Sequence, residues 1–229
     1  MLSVLSVSKS SYAAVQIDLF AGHSDSTIAA QQKAYMRGQF EYFGLKSEKR
    51  KALQKEAIAI ANKPNKSDLE AQIRQLWTDP HRECQYAAQE LYVKYVRHLE
   101  EADLDLIEWM IVTKSWWDTI DYIAANLVGK YYLKYPELAY DKFDQWLHSD
   151  NIWLQRCVLL YPLKFKGDLD WNLLSRCVHH LEGSNEFFIN KAIGWILRQS
   201  SKHKPDKVQE FINEHHLSKL SLKEATKYI

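Results

Sequence analysis

The sequence predicts an all-α protein, and three observations carry that expectation. Glycine and proline are scarce, at 7 and 5 of 229 residues, which leaves little of the turn chemistry that sandwiches and barrels need. Apolar residues recur at three- and four-residue spacing along nearly the whole chain, the period of helices with one buried face. The segments between are short and polar, and none reads convincingly as a strand. About a dozen helices of roughly 10 to 15 residues are implied, in similar units recurring about every 35 to 40 residues, the period of a HEAT- or armadillo-like solenoid. The expected architecture is therefore a single helical-repeat domain over residues 1–229 whose concave face is the binding surface. Other helical bundles share the same periodicity.

Each element has a local reason. Residues 29–43 read as a helix broken by Gly44, and 47–61 as another ending near Pro64. Ser67 and Glu70 form a capping box opening a helix to Trp77, and Asp79-Pro80 stops it. Residues 82–96 place Cys84, Ala88, Leu91 and Tyr95 on one face. A short buried helix spans 103–112, and the S-x-x-D spacing of Ser115 and Asp118 caps the next, over 117–128, closed by Gly129. Pro136 occupies a first-turn position for 137–147. Ser149-Asp150 caps 151–160, helices follow over 170–181 and 184–200, Pro205 opens one to Glu214, and Ser221 with Glu224 is a last capping box.

Composition excludes some classes. A hydrophobic fraction of 46% supplies a core, and 26% charged residues is ordinary. With a net charge of +1, a nucleic-acid binder must sort its basic residues onto one surface. Cys84, Cys157 and Cys177 form no C-x-x-C pair and fit no closed disulfide framework, so they read as buried reduced thiols of a cytoplasmic protein. No apolar run approaches the length of a membrane span. Residues 1–15 lack a basic stretch before their apolar one and do not read as a signal peptide.

The run Lys114-Ser115-Trp116-Trp117-Asp118-Thr119-Ile120-Asp121 is the densest in chemistry. Trp117 and Asp121 are four apart and share a helix face. An indole beside a carboxylate suits a ligand that is flat and cationic. Arg156, the pair Lys164 and Lys166, and Trp195 with Arg198 add cations and an aromatic that could line a groove, with phosphates on the cations and indoles on sugars or bases. The bland readings are also clear. Trp77, Trp109, Trp146 and Trp171 are expected in the core, and Trp117 and Trp195 taken alone would join them. Asp118 is a helix-capping carboxylate, and Asp121 could be held by a salt bridge, for which Arg156 is a candidate partner. The pairs His179-His180 and His215-His216 point to different sides of a helix without companion ligands, so no metal site is expected.

At these segments the chain resembles the DNA alkylation repair family of HEAT-like-repeat alkylpurine DNA glycosylases, the AlkD-like enzymes. The matching runs are Ile111-Val112-Thr113-Lys114-Ser115-Trp116-Trp117-Asp118 with Asp121, Ser149-Asp150-Asn151-Ile152-Trp153-Leu154-Gln155-Arg156, and Glu186-Phe187-Phe188-Ile189 with Lys191-Ala192-Ile193-Gly194-Trp195. Weaker similarity runs from about Ala34, through Phe43-Gly44-Leu45 and Arg50, to Ala225, while residues 1–25 match poorly. The resemblance implies a solenoid whose basic concave face holds duplex DNA. It implies a base excision repair enzyme that hydrolyses the N-glycosidic bond of N3- and N7-alkylated purines, such as 3-methyladenine and 7-methylguanine, without flipping the base. It implies Asp121 as the catalytic carboxylate, Trp117 and Trp195 as the indoles on the deoxyribose and flanking backbone, and Arg156 as the phosphate-binding arginine. Lys114, Lys164, Lys166, Arg198 and Arg50 fall at basic positions of the DNA surface. No metal or cofactor is expected, a monomer is the default for a groove that must admit a duplex, and the expected location is cytoplasmic, nucleoid-associated in a bacterium. Glu48 stands where the family often has proline, next to Arg50 and Lys51.

Elementary chemistry agrees with that role. An N3- or N7-alkylated purine is already cationic and leaves without a general acid. What remains is to stabilise an oxocarbenium-like sugar and place a water. A carboxylate about 4 Å from the developing charge contributes roughly 4 kcal/mol at an effective dielectric near 20, or about three decades of rate. Each indole face adds about 0.5 to 2 kcal/mol. No lysine stands out as a Schiff-base nucleophile, so a monofunctional enzyme is expected. Two other readings stay open: a non-catalytic helical-repeat binder of damaged or branched DNA, and a protein-interaction scaffold.

Overall fold

The computed structural model describes residues 10–229, so part of the signal-peptide reading of residues 1–15 lies outside the described residues. Those described are helical and hold no strand; the single β feature is an isolated parallel bridge between Glu41 and His81. No helix among them is long and apolar enough to cross a membrane. The single repeat domain expected over 1–229 is divided into two compact units, one running to His98 and one from Leu99 to Ile229.

The first unit holds α1 (Tyr12–Gly22), α2 (Ser26–Tyr35), α3 (Ser47–Ala61), α4 (Lys66–Thr78) and α5 (Arg82–Val93). α1 packs on α3 and α4, and α4 on α5, around Phe20, Leu53, Ile73, Leu76, Trp77 and Leu91, all 2% exposed or less. The helix expected over 29–43 is instead α2, capped by Asp25, which accepts from the Thr27 and Ile28 amides. It ends early because the chain turns through left-handed Arg37 and Gly38, at φ 55° and 72°. The amides of Phe43, Gly44 and Leu45 then go to the buried Glu83 carboxylate, at 3.1, 2.9 and 3.1 Å, instead of to a helix. The cap of α4 is Asn65, with Ser67 already inside the helix.

The second unit holds α6 (Asp103–Val112), α7 (Trp117–Ile123), α8 (Gly129–Lys134), α9 (Pro136–Leu147), α10 (Ile152–Leu160), α11 (Trp171–Leu181), α12 (Phe187–Ser201), α13 (Pro205–Glu214) and α14 (Lys219–Ala225). Pro136 and Pro205 sit in first turns, where the missing N–H costs nothing. Gly129 does not close a helix as expected. α7 runs on through a π-helical turn, Ala124–Val128, into α8. At Gly129 the Tyr161 carbonyl approaches so closely that an added Cβ would lie 2.5 Å from it. The last cap is Ser218, not Ser221; Glu224 is free of capping duty and faces α12. Gly194 on α12 is the contact that allows this, since a Cβ there would lie 2.5 Å from Glu224 Cβ and 2.8 Å from the Ser221 carbonyl. Trp77 and Trp146 are core residues at 0% and 1% exposure, whereas Trp109 and Trp171 are only half-buried. The three cysteines are buried thiols.

Candidate active site

Three helices of the second unit carry the site, with α10 packed against both α7 and α12. The approach to α7 is irregular. Lys114 is left-handed at φ 51°, a conformation a lysine rarely adopts. The Ser115 hydroxyl does not cap α7; it donates back to the Ile111 carbonyl at 2.5 Å. Trp116 is the N-cap residue, extended at φ −161°, and makes no side-chain capping bond. One turn after Asp121 the backbone widens into the π turn. Such turns recur at functional sites.

Asp121 and Arg156 form a bidentate pair. Arg156 Nε donates to Oδ1 at 2.7 Å and Nη2 to Oδ2 at 3.0 Å, while Nη1 donates to the Phe188 carbonyl. The arginine side chain is 5% exposed and the aspartate 15%. The salt bridge weighed from the sequence is therefore present. Burial nevertheless pushes the Asp121 carboxyl above the ordinary value of 3.8; the hydrogen bonds and charge of Arg156 oppose this, and the neighbouring Asp118 adds to it. Burial and the Asp121 charge also hold the Cys157 thiol protonated, so it is inert.

An aromatic cluster that the sequence did not single out adjoins Arg156 through Phe188. Ring centroids of Trp116, Trp153 and Phe188 lie 5.5, 5.3 and 5.0 Å apart, and the Arg156 guanidinium sits 5.8 Å from the Phe188 centroid. The Trp116 indole N–H is buried without an acceptor among the described residues. Trp153 and Phe188 both fall inside the sequence motifs, yet only the packing of α10 on α12 shows them as neighbours.

Trp117 and Trp195 are both half-buried, so neither is a core tryptophan. Trp117 shares the α7 face of Asp121, and Trp195 stands on α12 beside Gly194. Arg198 reaches Glu224 at 2.5 Å, which Lys191 also reaches at 2.8 Å. These cations, Lys191 first, hold the Glu224 carboxyl below its ordinary value. Lys164 is exposed at the end of a 3-10 turn, Tyr161–Lys164, and donates to Asn126 in the π turn at 2.6 Å. Lys166 is exposed and left-handed at φ 57°. Arg50 lies in the first unit, 6% exposed, with both terminal nitrogens on Glu90 at 2.7 Å and its fork 5.3 Å from the Tyr86 ring. The exposed cations of that helix are Lys49, Lys51 and Lys55. The histidines also differ from expectation. His215 lies past the helix as the extended C-cap of α13, and it converges with His179 on Glu182.

The second unit is thus all-α, with a buried aspartate–arginine pair on α7 and α10 and half-buried indoles on α7 and α12. The comparisons make this specific: the chain belongs to the DNA alkylation repair enzyme family, whose model matches residues 17–229. A predicted DNA alkylation repair enzyme from Enterococcus faecalis is 30% identical, with TM-score 0.83 over 90% of this chain and 96% of that one. The protein smu.31 from Streptococcus mutans UA159 shares the fold at 16% identity, with TM-score 0.59 over 89% and 98% of the two chains. No curated protein matches the sequence.

Proposed function

We propose that the chain is a monofunctional DNA glycosylase that hydrolyses the N-glycosidic bond of N3- and N7-alkylated purines in duplex DNA, without taking the base out of the stack. The observation that carries this reading is Asp121, a carboxylate fixed by two hydrogen bonds from Arg156, destabilised by burial, and on the same helix face as the half-exposed Trp117. A carboxylate short of solvation gains most when a positive charge develops beside it. In this reading Asp121 stabilises the sugar cation and orients the attacking water. Trp117 and Trp195 pack on the deoxyribose and its flanks. Arg156 uses three of its five donors on Asp121 and Phe188 and is 5% exposed, so its phosphate role in this reading rests on the resemblance. Lys114, Lys164, Lys166 and Arg198 extend the phosphate contacts.

The same pair favours a second reading. A carboxylate fully engaged by Arg156 is also what a DNA-binding member without catalysis would keep to shape its surface. Release of free 7-methylguanine and 3-methyladenine from methylated duplex DNA separates the two. Asp121→Asn is expected to retain DNA binding and lower release at least about tenfold, a loss of about 1.4 kcal/mol in transition-state stabilisation. Release by neither protein, with duplex binding intact, selects the binder. The pH profile adds a sign. Asp121 works ionised, and its carboxyl titrates above 3.8, so the wild-type rate falls on acidification through that raised value. The residual rate of the Asp121→Asn variant lacks that limb.

A further inference from the structure

We infer that the second unit carries a site for a divalent transition metal ion, Zn²⁺ by donor type, built from His179, Glu182 and His215. His179 is in the last turn of α11, Glu182 is the residue that caps its end, and His215 caps α13, so the three come from two separate segments. Their ligand atoms all lie within 4.8 Å of one another. His179 Nδ1 is 3.3 Å from Glu182 Oε1, and His215 Nδ1 is 3.2 Å from Glu182 Oε2. Tetrahedral Zn²⁺ with bonds of about 2.0 to 2.2 Å places adjacent ligand atoms about 3.3 to 3.5 Å apart, so each histidine nitrogen stands at that spacing from one of the two carboxylate oxygens, and the set as a whole closes from within 4.8 Å.

The surroundings set the ligand chemistry. The other nitrogen of His215, Nε2, is 2.9 Å from the Ser175 hydroxyl. In the tautomer with Ser175 accepting the Nε2 proton, the Nδ1 lone pair faces the carboxylate, and the two acceptors can share a cation. An outer partner on the non-ligating nitrogen is what orients metal-binding histidines. The His215 ring is further fixed by stacking on Phe211, with centroids 4.2 Å apart. Glu182 also accepts from the His216 amide at 2.9 Å, which holds the carboxylate in place. His215 is 6% exposed and Glu182 14%, whereas His179 is 81% exposed and stands on the solvent side of the site. A surface cavity of about 480 Å³ bordered by Ser175, His179, His215 and Glu214 gives an ion and its remaining water room to enter. Arg176 also borders it, and is directed at Asp144, 3.9 Å away. The donors are two imidazoles and one carboxylate, which suits Zn²⁺ and not Mg²⁺. None of these residues belongs to the Asp121 site. The metal is a clip joining the end of α11 to the segment after α13.

Equilibrium dialysis of the full chain against Zn²⁺, with Mg²⁺ as control, tests this. One Zn²⁺ per chain is expected, with affinity at least tenfold lower in His179→Ala and in Glu182→Gln, and no saturable Mg²⁺. Zn²⁺ is expected to raise the Tm of the wild type and leave that of His179→Ala unmoved. His179 is largely solvent-exposed, so its truncation leaves the fold intact and reads only the metal. Absence of saturable Zn²⁺ binding overturns the site. So does equal binding by the wild type and both variants, which would put the ion on other histidines.

Discussion

Each unit of this protein holds an arginine locked to a carboxylate by two hydrogen bonds, and the two pairs live in different surroundings. Arg50 and Glu90 join α3 to α5, regular helices that pack in the first unit, with the guanidinium against Tyr86. Near them the other buried carboxylate, Glu83, takes three backbone amides and leaves that turn satisfied. Arg156 and Asp121 join α10 to α7, and the backbone leading into and out of α7 is irregular. Lys114 is left-handed, a π turn follows α7, and the Trp116 N–H has no acceptor among the described residues, although α3 and α5 start without a side-chain cap just as α7 does. The same ion pair can close a fold or arm a site, and local consistency tells which. Buried pairs are weak evidence for stability and strong evidence of cost when one partner is lost.

The largest expected effect therefore falls on the first pair. Glu90→Ala strands a buried guanidinium and is expected to destabilise the protein by about 3 kcal/mol, read by denaturant midpoint. Base release by the fraction that remains folded should be unchanged. Loss of release with no change in stability would break the comparison and assign Arg50 to the DNA surface, the role implied by resemblance.

Much of this was legible in the chain. Helix-period spacing and scarce glycine and proline gave the all-α class, and 47–61, 103–112 and the helix from Pro205 to Glu214 coincide with α3, α6 and α13. The capping boxes misled more often. Ser67, Ser115 and Ser221 each have a carboxylate three residues on, but Asn65, Trp116 and Ser218 hold the N-cap positions. The motif records composition, whereas the cap is decided by where the preceding chain enters. The non-helical course of Phe43, Gly44 and Leu45 was hidden because their amides are satisfied by Glu83, about forty residues away. The Asp121–Arg156 pair could be named as a candidate partnership from spacing, since each is on a helix start or its next turn. The aromatic cluster and the His179–Glu182–His215 convergence could not, because both are made by helices that meet only in the fold.

Gly194→Ala sharpens the contrast with a smaller effect. The added methyl meets the Ser221 carbonyl and Glu224 Cβ, which are not free ends that can swing aside. A loss of about 1 to 3 kcal/mol is expected, or a Tm lowered by about 2 to 4 °C for each kcal/mol in a chain of this size. Because α14 holds Glu224 against Lys191 and Arg198, its displacement releases Arg198 and shifts Trp195. Base release should fall more than stability accounts for. A fall in Tm with unchanged release per folded molecule would remove Trp195 from the site.

Lys164→Ala has the smallest effect and the cleanest reading. The side chain is exposed, and its one described bond is to Asn126 at 2.6 Å, so stability should stay within about 0.5 kcal/mol. If Lys164 meets a phosphate, the slope of log affinity for duplex DNA against log salt should flatten by about 0.9. Arg156→Ala should flatten it similarly but also lower base release, because it removes the partner that orients Asp121 as well as a phosphate contact. Equal slopes in wild type and Lys164→Ala would mean that the cation serves only to hold the π turn through Asn126. The two variants together divide the surface that binds DNA from the pair that acts on it. That division is the one the buried Arg50–Glu90 pair, with no indole on its helix face, gives no reason to expect in the first unit.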